Sequence, residues 1–263
     1  MRRLDAELVR RHLARSREDA KDLIDAGRVV VEGFVADKAA RQVSEHASLV
    51  VTGVTQSWVS RGAYKLLGAL DAFEPAGLAV SGRRCLDAGA STGGFTQVLL
   101  TRGATHVVAA DVGYGQLHWS LRTDERVTVL DRCNVRGLSR DSIEGPVDLV
   151  VADLSFISLT LVLPALVDVV SQDGDMVVMV KPQFEVGPAR LGANGVVTDP
   201  SARAWAVEHV ASAAGALGWP AGAVAASPLP GPAGNHEFFL WLRRGAAALT
   251  PAMIAQIVEG DAS

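Results

Sequence analysis

Lys65, Asp153, Lys181 and Glu237 are the residues of this chain whose types and places could do chemistry together. Of 25 basic residues only Lys21, Lys38, Lys65 and Lys181 are lysine, so the last two positions ask for a reason. An arginine keeps its proton at any working pH, whereas a lysine amine can give one up and take it back. Lys181 directly follows the apolar run Met176-Val-Val-Met-Val180 and is fixed in direction by Pro182; Asp153 directly follows Val147-Asp-Leu-Val-Val-Ala152. Both runs read as buried strands, and open α/β sheets place their ligands just past the carboxyl ends of adjacent parallel strands. Glu237 precedes Phe238-Phe-Leu-Trp-Leu242, and Lys65 lies in Ser60-Arg-Gly-Ala-Tyr-Lys65-Leu, ahead of the first strand of the larger domain. Two amines and two carboxylates at one edge form a coupled titrating unit: a neighbouring cation favours a neutral amine, a neighbouring carboxylate the ammonium. Such a set can position a hydroxyl and take its proton. The residue types leave open whether Lys181 is the base or an oxygen-positioning group, and which amine is neutral.

A second stretch points to what would react with that hydroxyl. Arg84-Cys-Leu-Asp87-Ala-Gly89-Ala-Ser91-Thr92-Gly93-Gly94-Phe95 reads as a strand, a glycine-rich turn and a helix, the loop at which an α/β sheet holds a nucleotide-like cofactor. The next apolar strand, His106-Val-Val-Ala-Ala-Asp111, ends in an acid able to accept hydrogen bonds from a ribose. Serine at the middle glycine of the G-x-G-x-x-G pattern disfavours close approach to a pyrophosphate. A cofactor with a sulfonium and an ammonium in place of phosphates suits a loop preceded by Asp87, so S-adenosylmethionine is expected in preference to a nicotinamide. The Asn/Asp-Pro-Pro-aromatic run common in methyltransferases of exocyclic amines is absent where Asp153-Leu-Ser-Phe156 stands. Carbon-5 chemistry would need a nucleophilic cysteine, and Cys133 has no nearby histidine or lysine in sequence to activate it. Neither Cys85 nor Cys133 has the spacing of a disulfide framework or a zinc site, so no metal is expected.

These groups need a sheet to bring them to one edge, and the chain has the pattern for it. From Leu78 onward strands are expected near 84–87, 106–111, 127–130, 147–152, 176–180, 223–226 and 238–243, with helices near 95–102, 116–121, 158–170 and 201–217. That alternation implies a largely parallel sheet covered on both faces. Ahead of it, Leu4 to Leu13 has helical apolar spacing, Ser16-Arg-Glu-Asp19 caps a second helix that Gly27 stops, and Arg28-Val-Val-Val31 and Ala47-Ser-Leu-Val-Val51 give short strands. Charge divides unevenly: the whole chain is −4, but six arginines and Lys21 crowd the first 21 residues against four acids. Arg3, Arg10, Arg11, Arg15 and Arg17, with Lys38 after the turn, can contact phosphates and so position RNA without reading its sequence; the plainer alternative is a solvated helix face. No apolar run reaches the ~20 residues of a membrane span, Leu159 to Val170 being broken by Pro164 and Asp168, and the amino terminus has no signal-peptide apolar region. A cytoplasmic protein without a membrane partner is expected.

In this order around such a loop, Lys65, Asp153, Lys181 and Glu237 resemble the tetrad of ribose 2′-O-methyltransferases acting on RNA. The run Arg3-Leu4-Asp5, Leu8-Val9, Leu13-Ala14-Arg15-Ser16-Arg17, Ala20, Leu23-Ile24, Gly27, Val29, Val31, Gly33 resembles the S4-type RNA-binding domain. With Ser60-Arg-Gly, Asp87 to Phe95, Asp153-Leu-Ser-Phe-Ile157, Val180-Lys-Pro-Gln-Phe-Glu185 and Gly234-Asn-His-Glu237, the chain is similar to the TlyA family over essentially its whole length. The resemblance implies a small α+β S4-type domain over residues 1–59 and an α/β, Rossmann-like, seven-stranded S-adenosylmethionine-dependent methyltransferase domain over 60–263. It implies cofactor contacts at Asp87, Gly89, Ser91, Thr92, Gly93, Gly94, Phe95, Asp111, Val112, Asn134 and Asp153, and adds Arg61 to the RNA contacts. It further implies 2′-O-methylation of cytidine in 16S and/or 23S ribosomal RNA within ribosomal subunits, the extension 245–263 pointing to both. Two other classes stand beside it. A non-catalytic RNA-binding assembly protein would keep the loop as a relic, against which the intact tetrad speaks. A membrane-active haemolysin is suggested by a name many family members carry, against which the lack of a spanning or strongly amphipathic segment speaks. The oligomeric state is not written in the sequence.

Overall fold

The computed structural model describes residues 2–11, 13–14, 16–44, 47–52, 58–231 and 233–260. They form two compact units, 1–57 and 58–263, each with its own core. In the first, β1 (Arg2–Arg3) leads into α1 (Leu4–Arg10), followed by α2 (Arg17–Asp25). Ser16 caps α2, its Oγ accepting the Asp19 N–H at 3.1 Å. Then come β2 (Val29–Val31), β3 (Phe34–Val35), β4 (Gln42–Val43) and β5 (Leu49–Val51). An antiparallel sheet runs in the order β3-β2-β5, and β4 pairs with β1. Leu4, Leu8, Ala20, Ile24, Val29 and Val31 close the core. Helix α1 stops short of Leu13, whose N–H reaches back to the Leu8 carbonyl at 2.8 Å, a turn too wide to continue an α-helix.

The second unit opens with α3 (Gly62–Phe73) and continues β6 (Arg84–Ala88), α4 (Gly94–Thr101), β7 (His106–Ala110), α5 (Trp119–Arg122), β8 (Val127–Leu130) and β9 (Val147–Ala152). It then runs α6 (Leu163–Val169), β10 (Val170–Val180), α7 (Pro182–Glu185), α8 (Pro200–Ala216), β11 (Ala221–Ala226), β12 (Phe238–Arg243) and α9 (Pro251–Gly260). All seven strands join one sheet in the order β11-β12-β10-β9-β6-β7-β8. The five from β6 to β10 are parallel, and β12 alone runs against its neighbours β10 and β11. Alternate strand residues feed two cores. Leu86, Val150, Val178 and Leu240 meet the layer of α6, α8 and α9, while Cys85, Val151, Val177 and Trp241 meet α3, α4 and Leu121 of α5. This two-sided burial is why the strands read as unbroken apolar runs.

Three helices were not expected, the four-residue α7, which Pro182 opens, and the longer α3 and α9. In α3 the buried Ala63, Leu66, Ala69, Leu70 and Phe73 keep three- and four-residue spacing, and in α9 Ile254 and Val258 do the same. Strand β10 also begins well before its apolar run, directly out of α6, with an irregular register between Val170 and Asp175.

Candidate active site

Strand β6 ends in Ala88, and the turn Gly89 to Gly93 hands the chain to α4. The turn is packed too closely for side chains: a Cβ on Gly89 would lie 2.4 Å from the Asp153 carbonyl oxygen, and one on Gly94 2.2 Å from Ser60 Oγ. Gly89 also needs a φ of 91°, which an L side chain resists. Four segments close on one cavity of about 380 Å³, lined by Ser60, Arg61, Gly62 and Lys65, by Gly89, Ala90, Ser91, Thr92, Gly94 and Phe95, by Asp153, and by Pro230. Beside it Asp111 is aimed by two amides: its Oδ2 accepts from Ser91 N–H at 2.8 Å and its Oδ1 from Gly113 N–H at 2.7 Å. Each oxygen keeps a lone pair for a further donor.

Asp87 stands behind the loop and not in the cavity. It is fully buried, its Oδ2 accepts from Thr96 Oγ1 of α4 at 2.7 Å, and its Oδ1 has no hydrogen-bond partner among the described residues. Burial outweighs the Thr96 hydrogen bond and pushes its carboxyl up to about 7. Of the other expected cofactor residues, Gly93 packs under Leu117 and Leu121, Val112 is exposed, and Asn134 Oδ1 accepts the Arg136 N–H at 3.1 Å to cap a turn; none of the three lines the cavity. Burial pushes the Cys85 thiol up to about 12 and raises that of Cys133, so neither supplies a thiolate.

Asp153 and Lys181 follow the adjacent parallel strands β9 and β10, in which Ala152 pairs with Val178. Lys181 Nζ meets Asp153 Oδ1 at 2.5 Å and donates to Ser155 Oγ at 2.9 Å. Because β12 is antiparallel, it begins where the parallel strands end, with Phe238 opposite Val180. Glu237 therefore leaves from the same edge, and its Oε2 takes the Lys65 Nζ of α3 at 2.5 Å. The Glu237 side chain is 1 % exposed, and a Cβ on Gly231 would come within 2.6 Å of its Oε1. A charge so buried is tolerated only with its partner in place. Two lysine–carboxylate pairs thus stand at one sheet edge, and one member of each, Lys65 and Asp153, lines the cavity. Sequence reasoning missed Ser60, Thr96, Ser155 and Pro230. Of these Ser60 and Ser155 fell inside motifs it had singled out, while Thr96 lies a helical turn away from the loop it steadies.

Residues 58–244 match the FtsJ-like methyltransferase family and residues 2–49 the S4 domain. The chain belongs to the FtsJ-like methyltransferases, among them the TlyA proteins. It is 64% identical over 242 residues, 92% of this chain and 89% of the relative, to the 16S/23S rRNA (cytidine-2′-O)-methyltransferase TlyA of Mycobacterium tuberculosis. It is 32% identical over 237 residues, 90% of this chain and 97% of the relative, to hemolysin A of Brachyspira hyodysenteriae. A solved Streptococcus thermophilus structure that also bears the hemolysin name superposes with a TM-score of 0.74 at 37% identity, covering 98% of this chain and 94% of the other. The hemolysin name and the methyltransferase architecture therefore go together in this family. No helix among the described residues is long and apolar enough to cross a membrane.

S-adenosylmethionine, the methyl donor of this FtsJ-like methyltransferase, fits the residues present: a glycine cradle that side chains would fill, a cavity of ligand size, and an aimed carboxylate at Asp111 for a ribose.

In the S4 unit the arginines expected to touch RNA hold buried acids. Arg3 and Arg17 meet Asp5 at 3.0 and 2.9 Å, and Arg10 and Arg11 meet Glu7 at 2.6 and 2.8 Å. Arg11 also donates to the Ala47 and Ser44 carbonyls. Lys38 and Arg61 are exposed. Arg15 lies outside the described residues.

Proposed function

We propose that the protein transfers a methyl group from S-adenosylmethionine to the ribose 2′-hydroxyl of cytidine in ribosomal RNA, 16S and/or 23S, within ribosomal subunits in the cytoplasm. The observation that carries this reading is the pair of lysine–carboxylate contacts meeting at the cavity formed by the glycine loop. When bound, the cofactor supplies a methyl already activated on a sulfonium. Gly89, Gly94 and Asp111 would hold it, and the remaining task is to orient one oxygen and remove one proton.

The two pairs divide that task. Lys65 and Glu237 form the closed pair, with side chains 10 % and 1 % exposed, a fixed charge arrangement at the cavity wall. Lys181 works from the more open pair, with Asp153 reaching the cavity. As the methyl leaves the sulfonium sulfur for the 2′-oxygen, with the electron pair of the broken S–C bond staying on sulfur, Lys181 in its amine form would take the hydroxyl proton, and Asp153 at 2.5 Å would hold the ammonium that forms. Ser155 Oγ fixes the direction of that amine. Arg61, exposed at the rim, and the S4 unit are suited to RNA phosphates.

The test is a map of 2′-O-methylcytidines in 16S and 23S ribosomal RNA from cells lacking the protein, then supplied with wild type or Lys181→Ala. Marks that return with wild type only are expected; identical maps in all three would overturn the reading.

A further inference from the structure

We infer that Glu185 is a positioning residue for Lys181, anchoring the segment Asp153 to Leu159 whose side chains brace the lysine amine. The inference rests on the proposed methyl transfer and adds a residue to its machinery. Glu185 ends α7, the short helix that follows Lys181, and so leaves from the β10 side of the sheet edge. Its two oxygens reach across to the chain leaving β9: Oε2 accepts from Ser158 Oγ at 2.5 Å, and Oε1 accepts from Leu159 N–H at 2.8 Å. Ser158 gives its one proton to Glu185, so its contact with Thr160 Oγ1 at 2.7 Å has Thr160 as donor. A chain of hydrogen bonds thus ends on the half-buried carboxylate.

What lies between the anchors explains the need for them. The start of the segment is fixed by Asp153 N–H on the Ala88 carbonyl at 3.0 Å. Five residues on, nothing but Glu185 ties Ser158 and Leu159 to the chain leaving β10 among the hydrogen bonds of the described residues. Phe156, midway, takes φ 63°, a left-handed backbone that aromatic residues adopt only when the surroundings impose it. Its ring meets that of Phe184 at 5.3 Å, the neighbour of Glu185. The segment is therefore strained and pinned at its ends and middle, and the two groups it offers Lys181 are Asp153 Oδ1 and Ser155 Oγ. Release of the far anchor lets the turn relax and frees Ser155 Oγ to move away, removing the brace that holds the amine beside Asp153. Misplacement of a reacting group by about 1 Å is enough to cost on the order of a hundredfold in rate.

The experiment compares the full-length protein with Glu185→Ala, Glu185→Gln, Ser155→Ala and the double variant Ser155→Ala/Glu185→Ala, using single-turnover transfer of labelled methyl to ribosomal RNA. Calorimetric S-adenosylmethionine affinity and hydrogen exchange at the Leu159 amide accompany it. Glu185→Ala is expected to lower the transfer rate about 30-fold and Glu185→Gln, which keeps the acceptor for Leu159, about 5-fold, with KM for RNA and cofactor affinity within about twofold of wild type. The double variant should lose far less than the product of the single losses, since both changes act through one amine; a merely structural role would give multiplicative losses. Wild-type transfer by Glu185→Ala, or multiplicative losses, would overturn the inference. Were the wild-type chain itself to transfer no methyl, the functional reading would fall, and unchanged Leu159 exchange in Glu185→Ala would separately overturn the anchor.

Discussion

The two units bury acids in opposite ways. In the S4 unit each buried carboxylate is gripped by two arginines, Asp5 by Arg3 and Arg17 and Glu7 by Arg10 and Arg11. In the methyltransferase unit each site carboxylate meets one lysine, Glu237 with Lys65 and Asp153 with Lys181. A guanidinium binds in a fixed fork and keeps its charge; an ammonium is a point charge that can become an amine. The first arrangement fixes α1 against the rest of its unit, and the second, on the function proposed, keeps a proton in play. The hydrogen bond from Arg10 holds the Glu7 carboxyl down to about 2, and that from Arg3 holds Asp5 well below the usual carboxylate range. Behind the glycine loop, Asp87 moves the other way.

The comparison breaks most visibly if lysine and arginine turn out to be interchangeable at the sheet edge. Lys181→Ala should lower methyl transfer by about 10³-fold, and Lys181→Arg nearly as much, because arginine cannot accept the proton; single-turnover assays with cofactor affinity as control decide it. An arginine variant at the wild-type rate would make the pair a positional device only. A milder intrusion is Gly231→Ala, whose Cβ would press within 2.6 Å of Glu237 Oε1. Transfer should fall about tenfold without loss of fold, a displaced Glu237 leaving Lys65 poorly paired.

The converse exchange in the S4 unit should be gentle. Arg10→Lys with Arg11→Lys retains charge but loses the fork, costing about 1 kcal/mol of stability in chemical denaturation and less than twofold in transfer. Stability against pH then separates the units. Glu7 is lowered from 4.5 to about 2, so its contribution is present above the higher value and is lost as pH falls through the lower. Asp87 is raised from 3.8 to about 7, so its contribution is present at the acid end and is lost as pH rises through 7. Glu7→Gln should flatten the acid limb alone and Asp87→Asn the limb between about 4 and 7 alone. Smallest of all, Lys38→Ala should make the salt dependence of RNA binding shallower by roughly one unit of log–log slope, if this exposed lysine meets a phosphate.

Much of this was legible in the residues. Period and punctuation located all seven strands of the large unit because parallel strands buried on both faces cannot hide their apolar runs. Residue type singled out Lys65, Asp153, Lys181 and Glu237, since lysine is scarce in the chain and Asp153, Lys181 and Glu237 each directly flank a strand. Helix α3 escaped notice although it carries Lys65, because its apolar spacing ran through a stretch read for its charges. The roles of the S4 arginines were illegible for a different reason. An acid three or four residues away, as Glu7 is from Arg10 and Arg11, is visible as a helical pair, but that the acid is buried depends on the core closing over it.

By itself the sequence determined which elements form and which side chains can exchange a proton, as both follow from local periodicity and side-chain chemistry. Only the tertiary structure decided who meets whom. The reversal of β12 brings Glu237 to the carboxyl edge of the parallel strands, α3 carries Lys65 to it, and the chains leaving β9 and β10 lock together through Ser158 and Glu185. The reason is that each of these contacts joins segments distant in the chain. Their partners are chosen by strand order and register, which no local pattern of residues encodes.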